Sequence, residues 1–292
     1  MDSTVQGRNQ LSIDDEPRIQ VKSANWHFTS KCNYHCTFCC TQKNQGELTS
    51  LQTAADVFHH LRRLGIQKIN FVGGEPFCSP LIFDLVKLAK EHGLTTSITT
   101  NGSLVTAEII DRLSPSYLDW MGLSVDSASE DVEKALGRGY GHHVSNVVHI
   151  SNLIRNAGIR LKVNTTVTQM TASEDMHQLI ATLSPDRWKI FQFLHVKGQN
   201  DHAVESLSIP DHTFEAFKER HMDVRLHNGL APVFESADTM IDSYLMLAPS
   251  GNICQNTHIP APEITLPSVK LHDLPHILNI EKYSARGGIY EY

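Results

Sequence analysis

Four cysteines fall within nine residues, and three of them, Cys32, Cys36 and Cys39, form a Cys-x3-Cys-x2-Cys spacing with Phe38 just before the last. No other stretch constrains the fold as much. Three thiolates this close can serve one inorganic centre and leave one coordination position open. Iron–sulfur clusters are normally held by four thiolates, so a three-thiolate site frees one iron for a substrate or cofactor. A zinc ion with a remote fourth ligand could use the same residues, because structural zinc prefers a closed shell of four. The spacing favours the cluster, and the trio alone leaves both readings open.

Composition narrows the setting. The chain has 292 residues and no apolar signal core, so clustered cysteines read as metal or redox chemistry, not as a disulfide framework. Cys78 and Cys254 stand apart and read as packed thiols. A net charge of −7 argues against general nucleic-acid binding. No apolar run is long enough to span a bilayer. Met1 to Arg18 is polar and mixed in charge, and reads as a disordered start without an amphipathic anchor. A cytoplasmic monomer that binds neither membrane nor nucleic acid is expected.

Strand-like and helix-like stretches alternate along the chain, the pattern of a parallel α/β fold. Strands are expected near 19–29, 68–72, 95–100, 118–125, 160–167 and 188–196. Helical periodicity follows each, as in Leu51, Ala54, Ala55, Phe58, Leu61 and Leu64. Six βα units wound right-handed give a partial (βα)6 barrel over residues 19–225. Residues 226–292 carry scattered prolines and read as an irregular extension covering the site.

Alternation then assigns the faces of each strand. Trp26 and Phe28 point to the helices, so Asn25, His27 and Thr29 face the lumen. By the same parity Lys68 and Asn70, then Ser97, Thr99 and Asn101, then Ser124 and Asp126, then Lys162, Asn164 and Thr166 face inward. Unpaired buried polar groups cost a few kcal/mol each, so a polar lumen implies a polar ligand or an open, solvated face. Lys68, Lys162, Arg187 and Lys189 near that lumen point to a polyanion, most simply a triphosphate. Gly73-Gly74 ends a strand and precedes a helix, a geometry expected to leave backbone N–H groups free for a ligand. No Gly-x4-Gly-Lys-Ser/Thr loop is present, so a P-loop is excluded. The pairs His59-His60 and His142-His143 read as surface residues.

These residues resemble the viperin-like branch of the radical S-adenosylmethionine enzymes. The likeness rests on Asn25-Trp26-His27-Phe28-Thr29, the cysteine loop, Lys68 to Phe77 with its Gly73-Gly74-Glu75-Pro76 turn, and Asn101 to Leu104. It continues through Gly137-Arg138-Gly139, Lys162-Val163-Asn164, Pro185 to Gln192, Asp242-Ser243-Tyr244-Leu245 and Arg286 to Tyr290. The resemblance implies a [4Fe–4S] cluster on Cys32, Cys36 and Cys39, and S-adenosylmethionine at Gly73, Gly74, Glu75, Asn101, Ser124 and Arg138. It implies a nucleoside triphosphate, CTP by preference with UTP or GTP as alternatives, held by Lys68, Lys162, Asn164, Arg187, Lys189 and Arg286. Asn25 and His27 would lie by the base. Tyr244 would supply a hydrogen atom or electron late in the reaction. The implied product is a 3′-deoxy-3′,4′-didehydro nucleotide that terminates viral RNA synthesis, with a flavodoxin or ferredoxin as electron donor.

The sequence departs from that pattern at Cys40, where relatives usually carry an aromatic, and in Ala248 to Cys254. Other radical S-adenosylmethionine activities that use a second cysteine trio near the C-terminus are disfavoured, because only Cys254 is present there. A zinc-stabilised binding module is the non-enzymatic alternative.

Overall fold

A computed structural model describes residues 20–41, 46–254 and 263–287. The expected disordered segment 1–18 lies outside them. Nine strands form one sheet: β1 (Ser23–Thr29), β2 (Lys68–Gly73), β3 (Thr95–Thr100), β4 (Trp120–Ser124), β5 (Arg160–Val167), β6 (Arg187–Gln192), β7 (Val233–Glu235), β8 (Leu245–Leu247) and β9 (Ile253–Cys254). Their order is β7-β6-β5-β4-β3-β2-β1-β8-β9. Every neighbouring pair is parallel except β8 and β9. The first six strands are those the alternation predicts, within a few residues. The other three come from the C-terminal part of the chain and extend the sheet at both edges.

The helices form for local reasons that serve the same core. Ser50 accepts a hydrogen bond from the Gln52 N–H and caps the helix Leu51–Arg63, whose apolar stripe buries Ala54, Val57, Phe58 and Leu61. Trp26 and Phe28 of β1 pack with Phe58 and Phe71 as edge-to-face or tilted rings. Ile69, Phe71, Ile98, Met121, Leu123, Val125, Val163 and Val167 join the same core, as their parity requires. A short helix, Glu130–Ala135, stands in a stretch where the periodicity gave no element; Ser129 caps it. It delivers Leu136, Gly137 and Arg138 to the cysteine loop.

Two expectations need correction here. His143 is a buried residue, not a surface one, because its Nε2 bonds the Ser124 carbonyl at 2.8 Å. The N–H groups of the Gly73-Gly74 turn are not free. Gly74 donates to the Thr29 carbonyl at 2.8 Å, and Glu75 to the Lys31 carbonyl at 2.6 Å. Those bonds fasten the turn beneath the cysteine loop. Among the described residues no helix is long and apolar enough to cross a membrane.

Candidate active site

The inward faces of the strands surround a cavity of about 750 Å³, in the upper part of the range of ~300–1,000 Å³ usual for ligand pockets. Cys32, Cys36, Cys39 and Cys40 stand at one end of it. Lys68, Lys162 and Lys189 stand on its walls with Asn25, His27, Asn70, Thr99, Ser124 and Asn164. The polar lumen read from strand parity is therefore a cavity wall, except for Thr29, Ser97 and Asp126, which do not line it.

Backbone contacts hold the cysteine loop in place. His35 and Thr37 donate to the carbonyls of Gly137 and Leu136, and Cys39 donates to Cys36 in a tight turn. The Tyr34 N–H points at the Cys32 sulfur at 3.4 Å. Asn33 accepts from the Asn101 side chain at 3.0 Å, which ties the loop to the end of β3. The three sulfurs of Cys32, Cys36 and Cys39 do not all lie within 4.8 Å of one another. Thiolates on one zinc sit at most about 4.6 Å apart, twice a Zn–S bond of ~2.3 Å. A single zinc therefore does not fit the trio. A cluster, whose thiolates sit on separate irons, does not require them that close. Asp175, His177 and His221 do come within such a distance, away from the cavity. Both His221 nitrogens are already engaged there, by the Phe217 carbonyl and the Met176 N–H.

Next to the loop, Arg138 lines the cavity while its Nε donates to Asp126 at 2.6 Å and lies 3.5 Å from Glu133. Burial and the neighbouring Asp126 together raise the Glu133 carboxyl above its ordinary range. Glu75, expected at the cofactor, is not on the cavity wall. Its carboxylate is fully buried and accepts from Thr100 Oγ1, the Asn101 N–H and the Phe77 N–H at 2.6, 2.7 and 3.2 Å. It braces the turn, because those donors lie beneath it. Gly73 and Gly74 do line the cavity; the Gly74 N–H already donates to Thr29, and the Gly73 carbonyl acts as an acceptor, taking Thr41 Oγ1 at 3.3 Å. Acceptors suit the ammonium of an amino acid.

At the other end the cations gather. Burial and the nearby Lys189 and Arg187 push the Lys162 ammonium down to about 7. Burial and Lys162 hold Lys68 well below the usual lysine range. Burial lowers Lys189 to about 8, with Glu235 opposing. Burial also drops His27 to about 4, so it is neutral at physiological pH. His27 Nδ1 and Asn164 Oδ1 are buried without a hydrogen-bond partner among the described residues. Both belong to cavity-wall residues. Arg187, expected in the clamp, is not on the wall. It starts β6, and its Nη2 donates to the Gly287 carbonyl at 3.0 Å. Arg286 does reach the cavity. Its Nε and Nη2 both donate to the Ser243 carbonyl, and its guanidinium lies 3.6 Å over the Tyr244 ring.

The comparisons decide the family. The radical SAM superfamily matches residues 26–183, more than half of the chain. An "S-adenosylmethionine-dependent nucleotide dehydratase" of a Thermoplasmatales archaeon is 34% identical over 94% of this chain and 97% of its own length. The chain belongs to the radical SAM nucleotide dehydratases. The zebrafish (Danio rerio) enzyme of the same name, RSAD2, is 34% identical over 79% of this chain and 66% of its own. The AdoMet- and peptide-bound structure of anSMEcpe superposes with a TM-score of 0.65 over 89% of this chain and 83% of that one. At 16% identity it shows the shared fold alone. The dehydratase is an enzyme whose cofactors are a [4Fe–4S] cluster and S-adenosylmethionine, and the cysteine geometry fits the first of these.

Two cavity features escaped the sequence reading. Cys254, taken for a packed thiol, stands on the cavity wall because β9 carries it there. Glu235, on the three-residue strand β7, is fully buried and pairs with both Lys189 and Tyr244. Neither strand is long enough to show an alternation.

Proposed function

We propose that this dehydratase converts a nucleoside triphosphate, CTP first, to its 3′-deoxy-3′,4′-didehydro analogue, a chain-terminating nucleotide for antiviral defence. What supports a triphosphate is Lys162. It is buried, and no carboxylate forms an ion pair with it among the described residues. A buried ammonium crowded by Lys189 and Arg187, with only Glu235 opposing them, is costly, and a phosphate oxyanion relieves that cost.

In this reading Cys32, Cys36 and Cys39 hold the cluster. Gly73, Gly74, Asn101, Ser124 and Arg138 hold S-adenosylmethionine, with Glu75 as the brace beneath them. The chemistry these cofactors supply is a 5′-deoxyadenosyl radical able to take the 4′ hydrogen of a ribose. Lys68, Lys162, Lys189 and Arg286 bind the triphosphate, Arg187 adds its charge from behind, and Asn164 binds phosphate or ribose. Asn25 and His27 lie at the base; Asn25 is held in place by the Asn70 amide, itself bonded to Thr99. Loss of the 3′ hydroxyl and a one-electron reduction complete the conversion, with Tyr244 as the late donor. Free cysteines throughout the described residues suit a reducing cytoplasm, where a flavodoxin or ferredoxin supplies electrons.

Turnover with each nucleoside triphosphate under a strong reductant tests the reading. CTP is expected to raise 5′-deoxyadenosine formation most. If no nucleotide raises it above the nucleotide-free rate, the reading fails.

Lys162 adds a pH prediction. Below pH 7 its ammonium is charged before the nucleotide arrives, and binding takes up no proton there. Above about 7 the free protein has lost that charge, and binding must restore it. CTP binding is expected to weaken as pH rises from 7 to 9, with proton uptake seen by calorimetry in buffers of different ionisation heat. Lys162→Ala should reduce that uptake and weaken binding roughly ten- to a hundredfold, the range for a hydrogen bond to a charged group. Unchanged uptake in the variant would assign the proton to another residue.

A further inference from the structure

The two outer regions of the sheet meet at one side-chain contact beside the cavity. β7 pairs with β6 at one edge, and β8 pairs with β1 on the far side of the sheet. Yet Glu235, the last residue of β7, accepts a hydrogen bond from the hydroxyl of Tyr244, which immediately precedes β8. The chain between them includes the short helix Ala237–Met240. The other oxygen of Glu235 pairs with Lys189, whose ammonium also lies 3.4 Å from the Tyr244 hydroxyl. Arg286 covers the ring. Glu235 is thus a fully buried carboxylate joined at once to a triphosphate-binding lysine and to a phenol on the cavity wall.

A packing role does not require this arrangement. Phenol oxidation raises the acidity of the O–H sharply, so an electron leaves tyrosine readily only if the proton has somewhere to go. A carboxylate already accepting that hydrogen bond is such a place. Lys189 holds the other carboxylate oxygen and so fixes its orientation toward the phenol.

We propose that Glu235 is the positioning residue and proton acceptor for Tyr244. The inference rests on the reading of Tyr244 as the late electron donor. In the step, one electron passes from the phenol to the nucleotide radical cation left after the 3′ hydroxyl departs as hydroxide. The phenolic O–H bond breaks, and its proton moves along the existing hydrogen bond to Glu235. The products are a closed-shell dehydrated nucleotide, a neutral phenoxyl radical and a protonated carboxyl. A low-potential one-electron protein donor then reduces the phenoxyl, and the proton returns from Glu235.

The test uses cluster-loaded enzyme with CTP and S-adenosylmethionine, and reads dehydrated nucleotide formed per 5′-deoxyadenosine. Glu235→Gln keeps an oxygen to accept the hydrogen bond but cannot hold the proton. Its ratio is expected to fall at least about tenfold, as when a proton acceptor is lost. Tyr244→Phe should fall as far, and the double variant no further. Glu235→Asp retains a carboxylate and should recover part of the ratio; it also serves if the glutamine variant does not fold. Thermal melts of the same proteins give a second readout, with the double variant losing less than the sum of the single losses. An unchanged ratio in Glu235→Gln while Tyr244→Phe uncouples would overturn the proposal, as would additive losses in the melts. An unchanged ratio in Tyr244→Phe would sink the reading of the tyrosine. Absence of nucleotide-stimulated cleavage in the unaltered enzyme would sink the proposed function itself.

Discussion

Cys36→Ala is expected to yield a folded but colourless protein after anaerobic reconstitution, with 5′-deoxyadenosine formation reduced by more than about a thousandfold. Enzymatic rate enhancements are at least about 10⁶-fold, so losing the radical source removes nearly all of that. The fold should survive, because Cys36 sits on a loop that Thr29, Lys31, Leu136 and Gly137 fasten through backbone hydrogen bonds. Cys32→Ala and Cys39→Ala should behave alike. The informative controls are Cys40→Ser and Cys254→Ser, since both thiols share the cavity with the trio. Both should keep the brown colour and about three to four irons per chain, the content of a nearly complete [4Fe–4S] cluster. A brown Cys39→Ala beside a colourless Cys40→Ser would mean that the ligand set has been shifted by one residue.

Gly74→Ala is the second large effect, and its cause is steric. A Cβ there would stand 2.1 Å from the Lys31 carbonyl oxygen and 2.8 Å from that of Ser30. Both atoms are backbone of the cysteine loop, so no side chain can swing aside. Either the loop or the turn must move, and the Glu75 hydrogen bond to Lys31 goes with it. Overpacking of this kind costs about 1–3 kcal/mol, and ~2–4 °C of melting temperature accompanies each kcal/mol in a chain of this size. A fall of roughly 2–12 °C is expected by calorimetry, together with loss of most of the cluster. Gly65→Ala separates crowding from backbone conformation. Gly65 has φ +76° but nothing within 4 Å of a new Cβ, so only the ~1 kcal/mol cost of a left-handed alanine applies. If Gly74→Ala loads its cluster as fully as Gly65→Ala, the turn does not position the loop.

The sequence revealed most where a short rule acts over a long element. Period-two alternation across five strands placed Asn25, His27, Lys68, Ser124, Lys162 and Asn164 on one surface, and all six line the cavity. The rule says which face a side chain takes but not how deep it sits or where a long one ends. Arg187 has the same parity as Lys189, yet its guanidinium extends to the Gly287 carbonyl a hundred residues away. Glu75 belongs to a motif expected at the cofactor, while its own carboxylate turns inward to three donors that only the folded neighbours supply. Glu235 and Cys254 sit on strands of three and two residues. Such strands exist because the sheet edge is there to pair with, and no local pattern announces them.

The pairing of β1 with β8 has a consequence for how the enzyme is made. The first strand leaves the ribosome early, but its outer edge has no partner until residues 245–247 follow. Trp26 waits as long for the carbonyl of Ala248, 222 residues downstream. Contacts that distant form late, and an unpaired edge invites wrong partners in the meantime. The cysteine loop is thus translated well before the β8 strand that completes this side of the sheet. A nascent chain that still lacks β8 holds thiols but no closed chamber, so the most reactive step proposed for this protein stays out of reach until that strand is made.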